Sequence, residues 1–244
     1  MANVYRIFRK EVSGYFNSPS AYIFLVIFLI MGPALFFFLN QFFRDKMASM
    51  GGFFVFIPWL FLFFVPAIAM RIWAEEKRSG TEELLMTLPV RDWEVVAGKY
   101  LGALALIVIA LVLTFPVPLM VRHFAAPKPP LDWGPIWTGY FGSLLLGASI
   151  LAIGTWASSL TVNQIIAFII TCAISFVLIV VGYPVVTAIL PGAISGFLQN
   201  ISLLSHYISM YRGVLELADV VYYLSVIALF LFLNVRSVES RKWR

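Results

Sequence analysis

From Trp133 to Tyr211 the chain carries no Asp, Glu, Lys or Arg, a run of 79 residues. A bilayer-crossing helix needs only about 20 apolar residues, so this stretch holds more than one span. The rest of the chain agrees. Of 244 residues, 61% are apolar and 12% charged, against about 25% charged in soluble domains. The apolar runs are continuous and do not alternate, which selects helices over a lipid-facing barrel.

The pattern predicts an all-α membrane protein with one transmembrane domain over 1–244. Six spans are expected, at 21–41, 53–71, 98–121, 136–157, 163–182 and 217–235. Ser158, Ser159, Thr161 and Asn163 place a short turn within Gly154 to Asn163. Residues 183–211 do not fit a clean span. Pro184, Pro191, Gly192 and Gly196 break the run, and Gln199, Asn200, Ser202, Ser205 and His206 make it polar. Broken, re-entrant helices on the outer side are expected there, a form tolerated only against protein or water. At the start, residues 1–17 place Val4, Ile7, Phe8, Val12, Tyr15 and Phe16 near one helical face, with Arg6, Arg9 and Lys10 largely elsewhere. That is a basic amphipathic helix suited to the membrane surface, and Pro19 marks its bend into the first span. No charge occurs from Val12 to Phe43. This run exceeds a signal-peptide core and reads as a retained first span.

Between the second and third expected spans lies a charged island. Arg71 to Lys99 hold 11 of the 29 Asp, Glu, Lys and Arg residues. Such a segment must sit in water. Ser79 and Glu82 have capping-box spacing, and Thr81 offers an alternative cap. Glu82 and Glu83 would occupy a first helical turn, where the dipole favours acids, and Pro89 ends the helix. The result is a short helix, Thr81 to Thr87, with Asp92 capping the next helix from Trp93. A solvated loop is the plainer alternative, but a plain loop needs neither caps nor an apolar face.

Lys and Arg counts set the orientation. With the N-terminus inside, twelve lie on the cytosolic side, among them Arg6, Arg9, Lys10, Arg71, Lys99 and Arg236, and five lie outside: Arg44, Lys46, Arg122, Lys128 and Arg212. The positive-inside rule puts both termini in the cytoplasm and favours an even span count. It also explains the net charge of +5 without nucleic acid. Cys172 is a lone packing residue, and His123 and His206 lack metal-ligand spacing. No phosphate-binding loop occurs, since Gly98-Lys99 precedes Tyr100 and lacks the upstream glycine. The span interiors carry no Asp, Glu, Lys, Arg or His, which disfavours an ion-coupled carrier. Ser143, Ser149, Ser158 and Ser159 have no His at helical spacing, which argues against an intramembrane hydrolase. A membrane subunit without an energy source, but with a cytosolic docking helix, calls for an external motor.

The run Glu75-Glu76-Lys77-Arg78-Ser79-Gly80-Thr81-Glu82-Glu83-Leu84-Leu85, followed by Thr87-Leu88-Pro89-Val90 and Gly98-Lys99, resembles the corresponding region of ABC-2 type transporter permeases. The opening Phe8-Arg9-Lys10-Glu11 with Tyr15 to Tyr22, and the close from Tyr211 to Ser225 and Ser237 to Trp243, resemble the gliding-motility-associated branch. The resemblance implies six spans, a cytosolic coupling helix over 80–88 and broken outer helices. It implies no catalytic, cofactor or metal residue in this chain, with ATP and Mg held by a separate ATP-binding subunit in two copies. A second permease copy or related permease completes the implied complex in a bacterial or archaeal inner membrane. A membrane protein with a periplasmic domain joins it in the gliding-type branch. By carry-over, Gly80, Thr81, Glu82, Glu83, Leu84 and Leu85 contact the ATPase, and Lys10 and Glu11 lie near the same contact. Arg212 and Asp219 flank the outer end of the last span, where a gating role and an anchoring or capping role both stay open. The charge-poor span interiors suit export of an amphiphile of the lipid or glycan class. A mechanical subunit that moves no substrate is the alternative.

Overall fold

The computed structural model describes residues 2–40, 42, 49–81, 90–125, 131–189 and 191–240, and within these residues it is helical with no strand. Helix α1 (Ala2–Asn17) breaks at Ser18, whose extended backbone lets Pro19 open α2 (Pro19–Ala34). Proline fits the first helical turn because its missing N–H has no partner there. A π-helical turn, Leu35–Leu39, extends α2. Helix α3 (Gly51–Ala69) bends at Met70 into α4 (Arg71–Ser79). Then come α5 (Asp92–Leu113), α6 (Pro116–Phe124), α7 (Trp133–Leu160) and α8 (Gln164–Val180). Three short helices follow, α9 (Pro184–Ile189), α10 (Gly192–Ile201) and α11 (Leu203–Tyr211), before α12 (Leu217–Glu239).

Five stretches among the described residues are long and apolar enough to cross a membrane: Ala21–Leu39, Gly51–Ser79, Asp92–Phe124, Trp133–Leu160 and Leu217–Glu239. Helix α8 is apolar but only 17 residues long. Helix α7 is the most buried stretch and packs on α12, α3, α8, α11, α5 and α4. Small residues allow this. A Cβ added at Gly154 would stand 2.4 Å from the Cβ of Ala69, so α7 and α3 approach to a distance that only glycine permits. The hydroxyl of Ser158 accepts from the backbone N–H groups of Trp73 and Ala74 at 3.1 Å each and donates to the Met70 carbonyl at 3.0 Å. It thereby occupies backbone groups freed at the α3–α4 bend.

Several sequence expectations shift. The turn expected over Gly154 to Asn163 narrows to Thr161–Asn163, and Ser158 and Ser159 stay helical within α7. Asn163 caps α8 by accepting from the Ile165 N–H at 2.9 Å. Helix α5 begins at Asp92, with Arg91 as its cap residue in place of the expected Asp92. Glu94 reaches back to the Arg91 N–H at 3.1 Å, so the third helical position does the capping work. The Ser79 hydroxyl donates to the Glu75 carbonyl at 3.0 Å and thus closes α4. Gly80 has φ 70° and is the left-handed C-cap of α4, not the first residue of a new helix. Glycine meets that backbone at no steric cost. Of the expected coupling segment, Glu82, Glu83, Leu84 and Leu85 lie outside the described residues.

Candidate functional site: a charged node on three helices

The segment that ends at Gly80 and Thr81 is rooted in a cluster of charges shared by α1, α4 and α5. Its centre is Lys99, only 1% exposed. The Lys99 ammonium lies 2.9 Å from Glu11 Oε1 of α1 and 2.7 Å from Glu76 Oε1 of α4. It also donates to the Ile72 carbonyl at 3.2 Å and stands 5.2 Å from the centre of the Trp73 ring. Every face of the ammonium therefore meets negative charge or π density, which a buried cation requires. Lys10 lies 3.9 Å from the same Glu76 oxygen, and Arg71 pairs with Glu75 at 2.8 Å. Three cations, Lys10, Arg71 and Lys99, thus balance three carboxylates, Glu11, Glu75 and Glu76. They line a cavity of about 330 Å³ with Tyr15 and Ser18. Burial, reinforced by the Glu11 charge, lifts the Tyr15 phenol well above its ordinary range.

Two glycines bring these helices together. Gly98 and Gly102 flank Lys99 on the face of α5 that receives α1. A Cβ at Gly98 would meet the Ile7 Cβ at 2.7 Å, and one at Gly102 would meet the Glu11 Cβ at 2.5 Å. The four-residue spacing of small residues is the pattern by which helices approach backbone to backbone. Further along, Asn3 donates to Glu94 at 3.2 Å and ties the start of α1 to the start of α5. At the far end of α4, the Lys77 ammonium donates to the Ser159 carbonyl of α7. Helix α4 is thus latched to α1, α5 and α7 together. The arrangement can carry a displacement from the end of α4 into three other helices. Among the described residues no group of His, Cys, Asp and Glu is placed to hold a metal ion.

Of the residues expected at a cytosolic contact, Glu11 is turned inward onto Lys99, and Lys10 stays largely exposed beside Glu76. Lys99 and Glu76 are the members that sequence reasoning left unassigned. Their signal was the glycine pair around Lys99, which marks a close helix contact at the one lysine placed on a span edge.

Arg212 and Asp219 are not brought together. Asp219 is 4% exposed and pairs with His206 Nδ1 at 2.6 Å, while His206 Nε2 lies 3.2 Å from the Asn200 carbonyl. Tyr222 stacks on the His206 ring with centroids 4.0 Å apart. This pair ties α11 to α12. Arg212 instead lines a separate recess with Ser49, Asp132 and Tyr211. Asp219→Ala leaves His206 without its carboxylate and is expected to cost about 2–3 kcal/mol, read as a lower thermal midpoint in detergent. An unchanged midpoint would show that the pair is not structural.

No curated protein matches the chain. The family model for ABC-2 family transporter proteins matches residues 5–236, nearly the whole length. With that match, and with several helices long and apolar enough to span a bilayer, the chain is a multi-pass membrane transport component that belongs to the ABC-2 family of transporter proteins.

Proposed function

We propose that this chain is the permease subunit of an ATP-driven exporter and that the α1–α4–α5 node is its mechanical input. The supporting observation is the position of Lys99, which joins the helix ending at Gly80 to the helices on both sides of it. In this reading the residues that follow Gly80, up to Leu88, form a coupling helix that docks on a separate ATP-binding subunit, present in two copies, which holds ATP and Mg. Closure of the ATPases pushes this segment. The push passes through α4 into Lys99 and from there into α1 and α5, while the Lys77 and Ser158 contacts carry it to α7. A second permease copy or a related permease completes the pore. Helix α8 makes the sixth crossing, both termini face the cytoplasm of a bacterial or archaeal cell, and the short helices α9 to α11 dip into the outer leaflet without crossing. The apolar spans suit an amphiphilic cargo of the lipid or glycan class.

The test is co-expression with an ATP-binding subunit, followed by co-purification and ATP-dependent transfer of a fluorescent lipid across reconstituted vesicles. Association with ATP-dependent transfer supports the reading. Association without transfer favours a mechanical subunit that passes ATPase motion to periplasmic partners. Absence of association overturns both. Within this test, Glu82→Lys combined with Glu83→Lys is expected to weaken ATPase association at least about tenfold, since reversing two contact charges costs on the order of 1–2 kcal/mol or more. Undiminished pull-down would remove the acidic pair from the contact.

A further inference from the structure

A groove of about 840 Å³ runs along the outer face of α1 and α5, away from the charged node. Val4, Tyr5 and Phe8 form one wall, and Trp93, Leu101 and Val108 contribute to the other. The lining is entirely aliphatic or aromatic. Along α5 it extends from Trp93 to Ile109, about 24 Å at 1.5 Å per residue. One leaflet of a bilayer has about 15 Å of hydrocarbon, so the groove is long enough to take an acyl chain from the interface inward. Its mouth is marked by Tyr5 and Trp93, 63% and 47% exposed, the residue types that settle at the headgroup level.

The charge around that mouth is asymmetric. Arg6 and Arg9 adjoin Tyr5 and Phe8 on α1, are exposed, and form no ion pair among the described residues. Two of the acids nearby are already engaged. Glu11 is held by Lys99, Glu94 accepts from Asn3 and from the Arg91 backbone, and Asp92 is half-buried. The helix that forms one wall of the slot therefore carries two exposed guanidiniums, each next in sequence to a wall residue, a combination that suits a phosphate joined to a hydrocarbon chain.

We propose that this groove is a resident site for an anionic phospholipid of the surrounding bilayer, one acyl chain lying against α5 and the headgroup phosphate held by Arg6 and Arg9. The proposal rests on α1 lying at the cytosolic membrane surface, as in the permease reading. A lipid in this place braces α1 from the side opposite Lys99, so the helix that closes the charged node is seated on the membrane itself.

Trp93 supplies the probe. The full chain is reconstituted in phosphatidylcholine vesicles carrying a minor fraction of chain-brominated phosphatidylglycerol or, in parallel, chain-brominated phosphatidylcholine. The fluorescence difference between wild type and Trp93→Phe isolates Trp93. Brominated phosphatidylglycerol is expected to quench it at a lower mole fraction than brominated phosphatidylcholine, by about fivefold for each arginine engaged. Arg6→Gln with Arg9→Gln is expected to bring the two lipids level. Equal quenching of the wild type by both lipids overturns the site and leaves α1 at the interface. Quenching by neither, with helicity intact by circular dichroism, overturns it by showing the groove covered by protein. Failure of the permease reading registers separately, as absence of ATPase association.

Discussion

Lys99→Met is expected to destabilise the protein by about 3–5 kcal/mol, the cost of stripping one partner from a buried ion pair. Methionine matches the lysine stem in length and fills the same space, so packing changes little. What changes is charge. Glu11 and Glu76 both approach the ammonium, at 2.9 and 2.7 Å, and without it two carboxylates face each other across a poorly hydrated gap. One must take up a proton or the helices must part. The measurement is thermal unfolding in detergent, paired with ATPase stimulation in the complex proposed above. A midpoint within error of wild type would show that the node is not structural. Adding Glu76→Gln to Lys99→Met should restore part of the loss, because it removes one of the stranded charges. The two substitutions are therefore expected to be strongly non-additive.

How far the sequence discloses this arrangement depends on the range of the interaction. The apolar runs locate the helices because burial in lipid is a local demand, met residue by residue. Pro184, Pro191 and the polar residues after them give away the broken region, since proline acts on its own helix. The α3–α4 bend is different. It depends on Ser158, which lies 88 residues from Met70, and no local pattern at Met70 announces it. The start of α5 is legible to within one residue, Trp93 expected and Asp92 found, but the burial of Lys99 is not. A lysine at a span edge is expected to sit in water, whereas contacts with α1 and α4 bury Lys99 in protein. Asp219 and His206 were each visible as polar residues near a helix end. Their pairing was not, because it depends on how α11 folds back onto α12. The proposed coupling residues Glu82 to Leu85 were legible only through local spacing and family resemblance, and they lie outside the described residues.

Gly102→Leu is expected to have an effect of the same size as Lys99→Met by a steric route. The Cβ of any residue at this position would lie 2.5 Å from the Glu11 Cβ. A Cβ is fixed to its backbone and cannot swing aside, so α1 itself must move. Overpacking of this kind costs about 1–3 kcal/mol. Here the displacement also draws Glu11 off Lys99, which brings the total to about 3–5 kcal/mol. Val112→Ala is the control, since Val112 is 64% exposed further along α5, away from α1 and the groove, and a change within about 0.5 kcal/mol is expected there. Protease sensitivity of α1 and the thermal midpoint read the outcome together. If α1 stays protected and the midpoint holds in Gly102→Leu, the close approach of α1 to α5 is wrong. The double variant Lys99→Met, Gly102→Leu distinguishes the two routes. Both act through Glu11, so once α1 has been pushed away the lysine has less left to hold. The combined loss should fall well short of the sum of the two. Full additivity would mean that Glu11 and Lys99 are not coupled, and α1 would then keep only the exposed Lys10–Glu76 pair, at 3.9 Å, as a charged link to α4.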